Sequence, residues 1–178
     1  KLLPGQTVGY FADIKMDGLA CALVYQDGVL ERAVTRGDSF VGEDVTVNVR
    51  TIRNVPLRLN RENSVKSHEN IDFSRGRTEV RGEIVMLKRD FVKLNERQRA
   101  EGKPEFANPR NLAAGTIRQL DPRLVAERSL HFRGYDILRD DPADLPTHAD
   151  VYAALQAIGI SRNSQAQRLD TLDQVMDF

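Results

Sequence analysis

A lysine, an aspartate and a glycine stand close together near the start of the chain, in the sequence Lys-Met-Asp-Gly from Lys15 to Gly18. An apolar run follows, which predicts a strand next to a phosphate-facing turn. A lysine amine is nucleophilic when neutral, and neighbouring cations with partial desolvation lower its pKa toward that state. We therefore interpret Lys15 as a candidate nucleophile, with Asp17 orienting the amine or its leaving group and Gly18 allowing the backbone to approach a nucleotide.

This motif is short, and its alternative interpretation is a solvated lysine before an Asx turn. A later stretch that agrees with the catalytic interpretation is the loop TRGDSFVGED over residues 35–44, which holds Arg36 among several acidic residues. Such a loop suits an arginine held against a phosphate or a base. A surface turn with an incidental ion pair fits the same residues.

A second supporting position is Glu83, which follows Gly82 inside a strand predicted over Thr78–Leu87. A glycine inside a strand marks a bulge or the close approach of a ligand. The carboxylate beside it can accept hydrogen bonds from a sugar hydroxyl. The competing interpretation is a carboxylate at the strand edge that pairs with Arg81 or Lys88.

Two arginines, Arg110 and Arg118, accompany a helix predicted over Leu112–Leu120, whose start is marked by Asn108-Pro109. Eight residues are a little over two helical turns, so two side chains at this spacing on one helix share a face. Such a pair predicts a clamp for a phosphate backbone. Arginines that are merely solvated are the alternative.

The remaining pattern predicts an α+β fold of antiparallel strands and helices. We expect strands over residues 8–14, 19–25, 29–35, 78–87 and 130–138 and helices over residues 43–52, 90–100, 112–120 and 149–158. Asp27-Gly28 predicts a tight hairpin between the second and third strands. Residues 60–77 are interpreted as a polar loop or insertion, and residues 139–178 as an acidic, helical C-terminal part that ends inside a capped helix.

Composition is that of a soluble globular protein, with 40% hydrophobic and 29% charged residues and no net charge. No apolar run is long enough to span a bilayer and no leader precedes the chain, so we expect a cytoplasmic protein without membrane contact. The single Cys21 excludes an internal disulfide and a cysteine zinc site. Because His68, His131 and His148 have no ligand-like spacing, we expect no metal held by histidines.

Four stretches in this order resemble the adenylation domain of the NAD-dependent bacterial DNA ligases. They are KMDGLA, TRGDSFVGEDVTVNVRTI, EVRGEI and FANPRNLAAGTIRQLDP, and the likeness covers most of residues 9–138. The second and fourth stretches belong to this family, whereas the lysine motif and the glutamate strand are shared with ATP-dependent ligases and RNA-capping enzymes.

The resemblance implies a nucleotidyltransferase fold, with antiparallel sheets flanked by helices and AMP bound between them. It also implies a DNA ligase whose lysine attacks the α-phosphate of NAD, displaces nicotinamide mononucleotide and becomes lysyl-AMP. The AMP then passes to the 5′-phosphate of a nick in double-stranded DNA, and the 3′-hydroxyl displaces it to seal the strand. Mg²⁺ assists by neutralising phosphate charge.

Carried over to this sequence, the resemblance makes Lys15 the catalytic nucleophile, with Asp17 and Gly18 as its motif partners. Asp13 stands where the family usually has a glutamate that contacts adenine, and its side chain is one methylene shorter. Ser39 stands where many members have glycine.

The resemblance further places Arg36 near the nucleotide and needed after adenylation. Glu83 matches the glutamate that receives the ribose hydroxyls. Arg110 and Arg118 match the pair that serves phosphate and nick contacts.

Two later family motifs do not occur in this sequence: a strand Asp-Gly-Val-Val-Ile-Lys and a further lysine near a Lys-Phe pair. We therefore expect residues 1–178 to be part of an adenylation domain, acting as a monomer in the bacterial cytoplasm and nucleoid. Zinc is expected only in downstream domains. Two alternatives remain at this point, namely an inert nucleotide- or nucleic-acid-binding module and an ATP-dependent nucleotidyltransferase.

Overall fold

An antiparallel sheet of four strands forms the centre of the molecule in the computed structural model, which describes residues 8–38, 41–60, 71–140 and 145–178. The spatial order of its strands is β3-β2-β4-β5. They are β2 (Leu19–Gln26), β3 (Val29–Thr35), β4 (Arg77–Met86) and β5 (Leu130–Arg139). A second, two-stranded antiparallel sheet pairs β1 (Tyr10–Ala12) with β6 (Gln167–Leu169).

Helices flank the two sheets. They are α1 (Thr46–Val49), α2 (Lys88–Ala100), α3 (Pro109–Ile117), α4 (Pro122–Ala126), α5 (His148–Ala157) and α6 (Leu172–Met176). α1 packs against β3, α3 against β4 and α5 against β5. None of the helices in the described ranges combines the length and the apolar character that crossing a membrane requires. The predicted α+β class is confirmed.

Side chains along each strand alternate between a buried face of the sheet and an open one. Leu23, Val80, Ile84 and Phe132 are fully buried on the core side. Their neighbours along β2, such as Ala22, are only half-buried. Cys21 packs in the core, and burial raises the pKa of its thiol to about 12. The open face is therefore available to a ligand.

The hairpin predicted at Asp27-Gly28 is confirmed. Both residues have positive φ, 50° for Asp27 and 76° for Gly28, which is the signature of a type I′ turn. The turn pairs Gln26 with Val29 and returns β3 along β2 as far as Thr35. The loop that carries Arg36 thus begins beside the start of β2.

The helix predicted over residues 43–52 is wrong at both ends, because α1 begins only at Thr46 and ends at Val49. Glu43 instead continues the pairing along β3, and its carbonyl accepts a hydrogen bond of 3.0 Å from the Thr35 amide. The Asp44 carboxylate accepts from the amide and the hydroxyl of Thr46. These acidic residues therefore precede the helix and do not lie in its first turn.

Three further elements were not predicted correctly. β1 is shorter than the expected strand over residues 8–14, and neither α4 nor β6 was expected. The part over residues 139–178 is therefore not only helical. Within the polar segment 60–77, residues 61–70 lie outside the described ranges, so its interpretation as a loop or insertion stays a prediction.

Gly82, at the bulge in β4, is closely packed, whereas Gly115 in α3 is not. Replacing each by alanine should therefore change the free energy of unfolding in opposite directions. A Cβ at Gly82 would collide with the Arg133 carbonyl and the Phe132 ring, whereas one at Gly115 in α3 would meet nothing within 4 Å. We expect Gly82→Ala to lower the free energy of unfolding by about 1–3 kcal/mol. The control Gly115→Ala is expected to raise it by about 0.5–1 kcal/mol, as alanine does inside helices. Urea denaturation measures both, and equal effects would contradict the packing at Gly82.

Candidate active site

A cleft of about 500 Å³ opens where the segment after β1 passes the open face of the sheet. Its lining residues come from the segment after β1, the loop after β3, the strands β4 and β5, and α5; they are Phe11, Asp13, Ile14, Lys15, Met16, Arg36, Glu83, Tyr135, His148 and Tyr152. The cleft adjoins a groove of about 670 Å³ on the open sheet face, with which it shares Arg36 and Tyr135. The fold thus assembles a concave site from residues far apart in sequence.

Lys15 lies in the irregular segment between β1 and β2, at the wall of this cleft. Its side chain belongs to an exposed residue. The partial desolvation expected from the sequence is therefore not provided by the described residues, because no element covers this part of the segment. What the structure does provide is access to the amine from the cleft.

Glu83 lines the same cleft as the predicted residues Asp13, Lys15 and Arg36. It projects from β4 directly opposite Ala20 of β2 and Arg133 of β5. Burial raises the pKa of the Glu83 carboxyl, and attraction by Lys15, Arg110 and Arg36 opposes that effect only in part. Three cations from separate segments thus surround one half-buried carboxylate, which is an arrangement suited to phosphate and sugar groups.

Asp17 and Arg110 form an ion pair across the entrance of the site. The Arg110 Nη1 donates to the Asp17 Oδ1 at 3.1 Å, and both side chains are largely exposed. Asn108 caps the start of α3 by accepting from the Asn111 amide, which fixes the first turn that carries Arg110. In this structure Asp17 therefore holds an arginine, and its predicted contact with the Lys15 amine is not observed.

Gly18 has a role other than the predicted approach to a nucleotide. The residue is buried, and a Cβ there would collide with the Ile84 carbonyl and lie 2.8 Å from Val85 Cγ1. Gly18 does not line the cleft. The structure thus explains this glycine by the close approach of the chain to β4.

The loop after β3 holds Arg36 at the cleft through its backbone. The Arg36 amide donates to the Ala20 carbonyl at 3.0 Å, and the Glu43 amide donates to the Thr35 hydroxyl at 3.0 Å. Gly37 has a φ of 55°, and a Cβ there would overlap the Val41 carbonyl. The loop is therefore tightly folded. Ser39 lies outside the described residues, so its effect on the loop stays a prediction.

Asp13 is held from the side opposite Lys15 by a polar network. Its carboxylate accepts hydrogen bonds from the Tyr152 hydroxyl, from the Asn163 side-chain amide and from the Ile14 amide. Burial and the hydrogen bond to Asp13 raise the pKa of Tyr152. The network anchors the segment that carries Lys15 to α5 and to the chain after it, and Asp13 still lines the cleft.

Arg118 is not brought to this site, and the predicted clamp with Arg110 is not formed. Arg118 caps the end of α3 and donates from Nε to the Glu43 Oε2 at 2.6 Å. Asn48 fixes that end of the helix by donating to the carbonyls of Ile117 and Gln119, each at 2.7 Å. Arg110 and Arg118 occupy opposite ends of α3 and pair with different carboxylates, because eight residues separate them by about 12 Å along the helix.

Aromatic residues of the cleft were missed by the sequence reasoning. Phe11 packs against His148 and Tyr152 with ring centroids 5.7 Å and 4.8 Å away, and Tyr135 stands on β5 near Glu83. The alternation of His131, Arg133 and Tyr135 along β5 was the available signal for Tyr135. Nothing local indicated that α5 would turn its aromatic residues toward β1.

No group of three histidine, cysteine, aspartate or glutamate residues in the described ranges is arranged to hold a metal ion. Mg²⁺ commonly keeps several water ligands and binds to substrate phosphates with only one or two carboxylates. Glu83 and Asp17 lie within electrostatic range of each other. Any metal ion bound at these described residues would therefore need ligands beyond the protein carboxylates.

Comparison with known families places this site in context. The model of the NAD-dependent DNA ligase adenylation domain matches residues 2–178. The chain belongs to this family. The resemblance predicted from four stretches is thus confirmed, and it extends over nearly the whole chain.

Individual family members agree with this assignment. The DNA ligase of Desulforamulus reducens is 46% identical over 176 residues, which are 99% of this chain and 24% of that protein. The DNA ligase of Neisseria meningitidis is 46% identical over 178 residues, 99% of this chain and 20% of that protein. The DNA ligase of Syntrophomonas wolfei is 42% identical over 173 residues. The chain therefore spans about a fifth to a quarter of the length of the relatives it matches.

Glu83 and Glu79, two glutamates on the same face of β4, are expected to respond to pH in opposite directions. Because the pKa of Glu83 is raised in the folded state, the folded chain loses stability relative to the unfolded one as pH rises through that pKa. Glu83→Gln, which cannot ionise, should therefore be more stable than the wild type at pH 7. This difference should vanish below the ordinary glutamate pKa of 4.5.

Glu79 is the matched control. Burial would raise the pKa of Glu79, but hydrogen bonds from Arg77 and Arg81 outweigh it and lower the pKa. Its ionised form therefore stabilises the fold above the ordinary glutamate pKa, and that stability is lost as pH falls through the lowered value. Glu79→Gln should be less stable than wild type at pH 7. Denaturation midpoints between pH 3 and pH 8 measure both; a destabilised Glu83→Gln at pH 7 would contradict the assignment.

Proposed function

We propose that this chain is part of the adenylation domain of an NAD-dependent DNA ligase, with a nucleotidyltransferase fold and Lys15 as the residue that becomes adenylated. The observation that supports the proposal is that Lys15, Arg36 and Glu83 line one cleft, while Arg110 is paired with Asp17 of the lysine motif. Family membership alone predicts the reaction class. The geometry of the cleft adds which side chains can meet one nucleotide at the same time.

In the proposed reaction the neutral Lys15 amine attacks the α-phosphorus of NAD. A bond forms between Nζ and phosphorus, and the bond from phosphorus to the bridging oxygen breaks, so that nicotinamide mononucleotide leaves with that oxygen. Arg36 and Arg110 would stabilise the phosphate charge. Glu83 and Asp13 both line the cleft; Glu83 would accept hydrogen bonds from the ribose hydroxyls, and Asp13 would contact the adenine. Mg²⁺ would supply further neutralisation of phosphate charge.

The later steps use DNA. We propose that AMP passes from Lys15 to the 5′-phosphate of a nick in double-stranded DNA, and that the 3′-hydroxyl then displaces AMP and seals the strand. Arg118 lies outside the lysine cleft and is exposed, which suits a contact to the DNA backbone near the nick. The whole protein would act as a monomer in the bacterial cytoplasm and nucleoid, where nicked DNA arises.

Two alternatives lead to different outcomes. In the first, the chain binds nucleotide without reacting, because Lys15 needs further residues. In the second, the parent protein uses ATP. The position of Lys15 in the same cleft as Glu83, with its amine accessible, argues against an inert module. Against the use of ATP stands the match to a family defined by its use of NAD.

A sealing assay with the full-length protein that contains this chain tests the proposal. Wild type should seal a nicked duplex with NAD and Mg²⁺ and not with ATP and Mg²⁺. Lys15→Ala should seal none, because no covalent intermediate forms. Lys103→Ala, which removes an exposed lysine paired with Glu101, is the control and should retain the wild-type rate. Sealing with ATP alone, or by the Lys15→Ala protein, would overturn the proposal.

The different places of the two arginines generate a second prediction. Arg110→Ala should slow the formation of lysyl-AMP by about 10- to 100-fold, since a charge-assisted hydrogen bond contributes about 1.5–3 kcal/mol. Arg118→Ala should weaken binding of nicked DNA and flatten its salt dependence, and it should slow adenylation less than Arg110→Ala does. Single-turnover adenylation and a binding titration at several salt concentrations measure the two effects. Equal slowing of adenylation would place both arginines at the AMP phosphate.

A further inference from the structure

We infer that the exposed side of α2, together with Arg133 on β5, is a binding surface for the phosphate backbone of duplex DNA. This inference rests on the proposed function for its choice of DNA as the polyanion. It assigns to α2 a role that is separate from the lysine cleft and from Arg118.

α2 carries an excess of basic residues. Its 13 residues include five basic and two acidic side chains, and none of them is fully buried. Phe91 and Leu94 pack against the core from one side of the helix. The basic residues Arg89, Lys93 and Arg97 recur every four residues and are all exposed, so they form a stripe along the solvent side.

Few carboxylates neutralise this stripe. Arg89 lies 3.8 Å from Asp90, the next residue along the helix, and Glu101 is close enough to Arg97 to have its pKa lowered by it. Lys93 has no ion pair with any described residue. Arg99, in contrast, is held by two hydrogen bonds to Glu105, which leaves it outside the proposed surface.

The stripe is connected to the reaction site. Arg133 stands directly opposite Glu83 in the β4–β5 register, so both side chains lie on the open face of the sheet. His131, two residues earlier on the same face, lies 3.8 Å from Asp90 at the start of α2. Burial lowers the pKa of His131, and the nearby charges of Arg133 and Arg89 add to that effect. The strand position opposite Glu83 is therefore linked to the start of α2 through His131 and Asp90, next to which Arg89 lies.

The dimensions of this surface fit one DNA strand. From Arg89 to Arg97 the helix rises about 12 Å, while successive phosphates of one strand are about 3.4 Å apart along the duplex axis. Three flexible basic side chains at this spacing can therefore neutralise several phosphates in a row. Glu96 is exposed on the same side of α2, so the basic residues outnumber the acidic ones there without excluding them. Because the stripe offers no aromatic platform, the contacts would be independent of base sequence.

The test is the salt dependence of DNA binding by the full-length protein. A triple variant, Arg89→Gln, Lys93→Gln and Arg97→Gln, should bind nicked duplex more weakly than wild type at 50 mM salt, with the difference narrowing as salt rises. Its slope of log affinity against log salt should be shallower by about 2.7, since each phosphate contact contributes about 0.9. Fluorescence anisotropy with a labelled duplex measures the slope.

The matched control removes the same number of positive charges elsewhere. Arg75, Arg123 and Arg168 are exposed and paired with nearby aspartates, and the triple Gln variant of these residues should change the slope by less than one. Both variants are first checked by thermal unfolding for an unchanged midpoint. Equal slopes for the α2 variant and wild type, or for the two triple variants, would overturn the inference.

Failure of this inference is distinguishable from failure of the proposed function. Wild-type protein is incubated with NAD and Mg²⁺, and its intact mass is measured for the gain of one AMP. If AMP is gained while the α2 variant keeps the wild-type slope, the surface on α2 is wrong and the ligase proposal stands. If no AMP is gained, the proposed function has failed, and the slope alone decides whether α2 binds a polyanion.

Discussion

The structure of the candidate site depends on one half-buried carboxylate. The register between β2, β4 and β5 sets Glu83 opposite Ala20 and Arg133 on the open face of the sheet. Burial of this carboxyl disfavours its charge, so the position is tolerated because Lys15, Arg36 and Arg110 surround it. These cations offset the burial of Glu83 only in part, since its pKa stays raised.

A different local interaction positions the backbone of each of these three basic residues near Glu83. The site can therefore be assembled from segments that are distant in sequence. Backbone pairing to Ala20 places Arg36, and the Asn108 cap places the helix turn of Arg110. The segment of Lys15 is anchored through Asp13, whose carboxylate is bound by side chains from α5 and beyond it. The fold thus fixes the backbone around the cleft and leaves the lysine amine accessible.

Local signals in the sequence predicted the central sheet and most of the candidate residues. The Asp27-Gly28 turn and the alternation in β2 to β5 are short-range patterns, so the hairpin and the strands are correct. The predicted helix over residues 43–52 is too long because strand pairing of Glu43 overrides its acidic helix-start pattern. The β1–β6 pairing, the aromatic wall at Tyr152 and the separation of Arg110 from Arg118 depend on contacts between distant segments, which no local pattern specifies.

The most direct measurement of the central claim is the site of AMP attachment. The purified chain is incubated with NAD and Mg²⁺, and separately with ATP and Mg²⁺. Its intact mass is then measured, and any adduct is located by peptide mapping. The account predicts a gain of one AMP with NAD only, located on Lys15. An adduct on any other residue, or one formed from ATP and not from NAD, would contradict it.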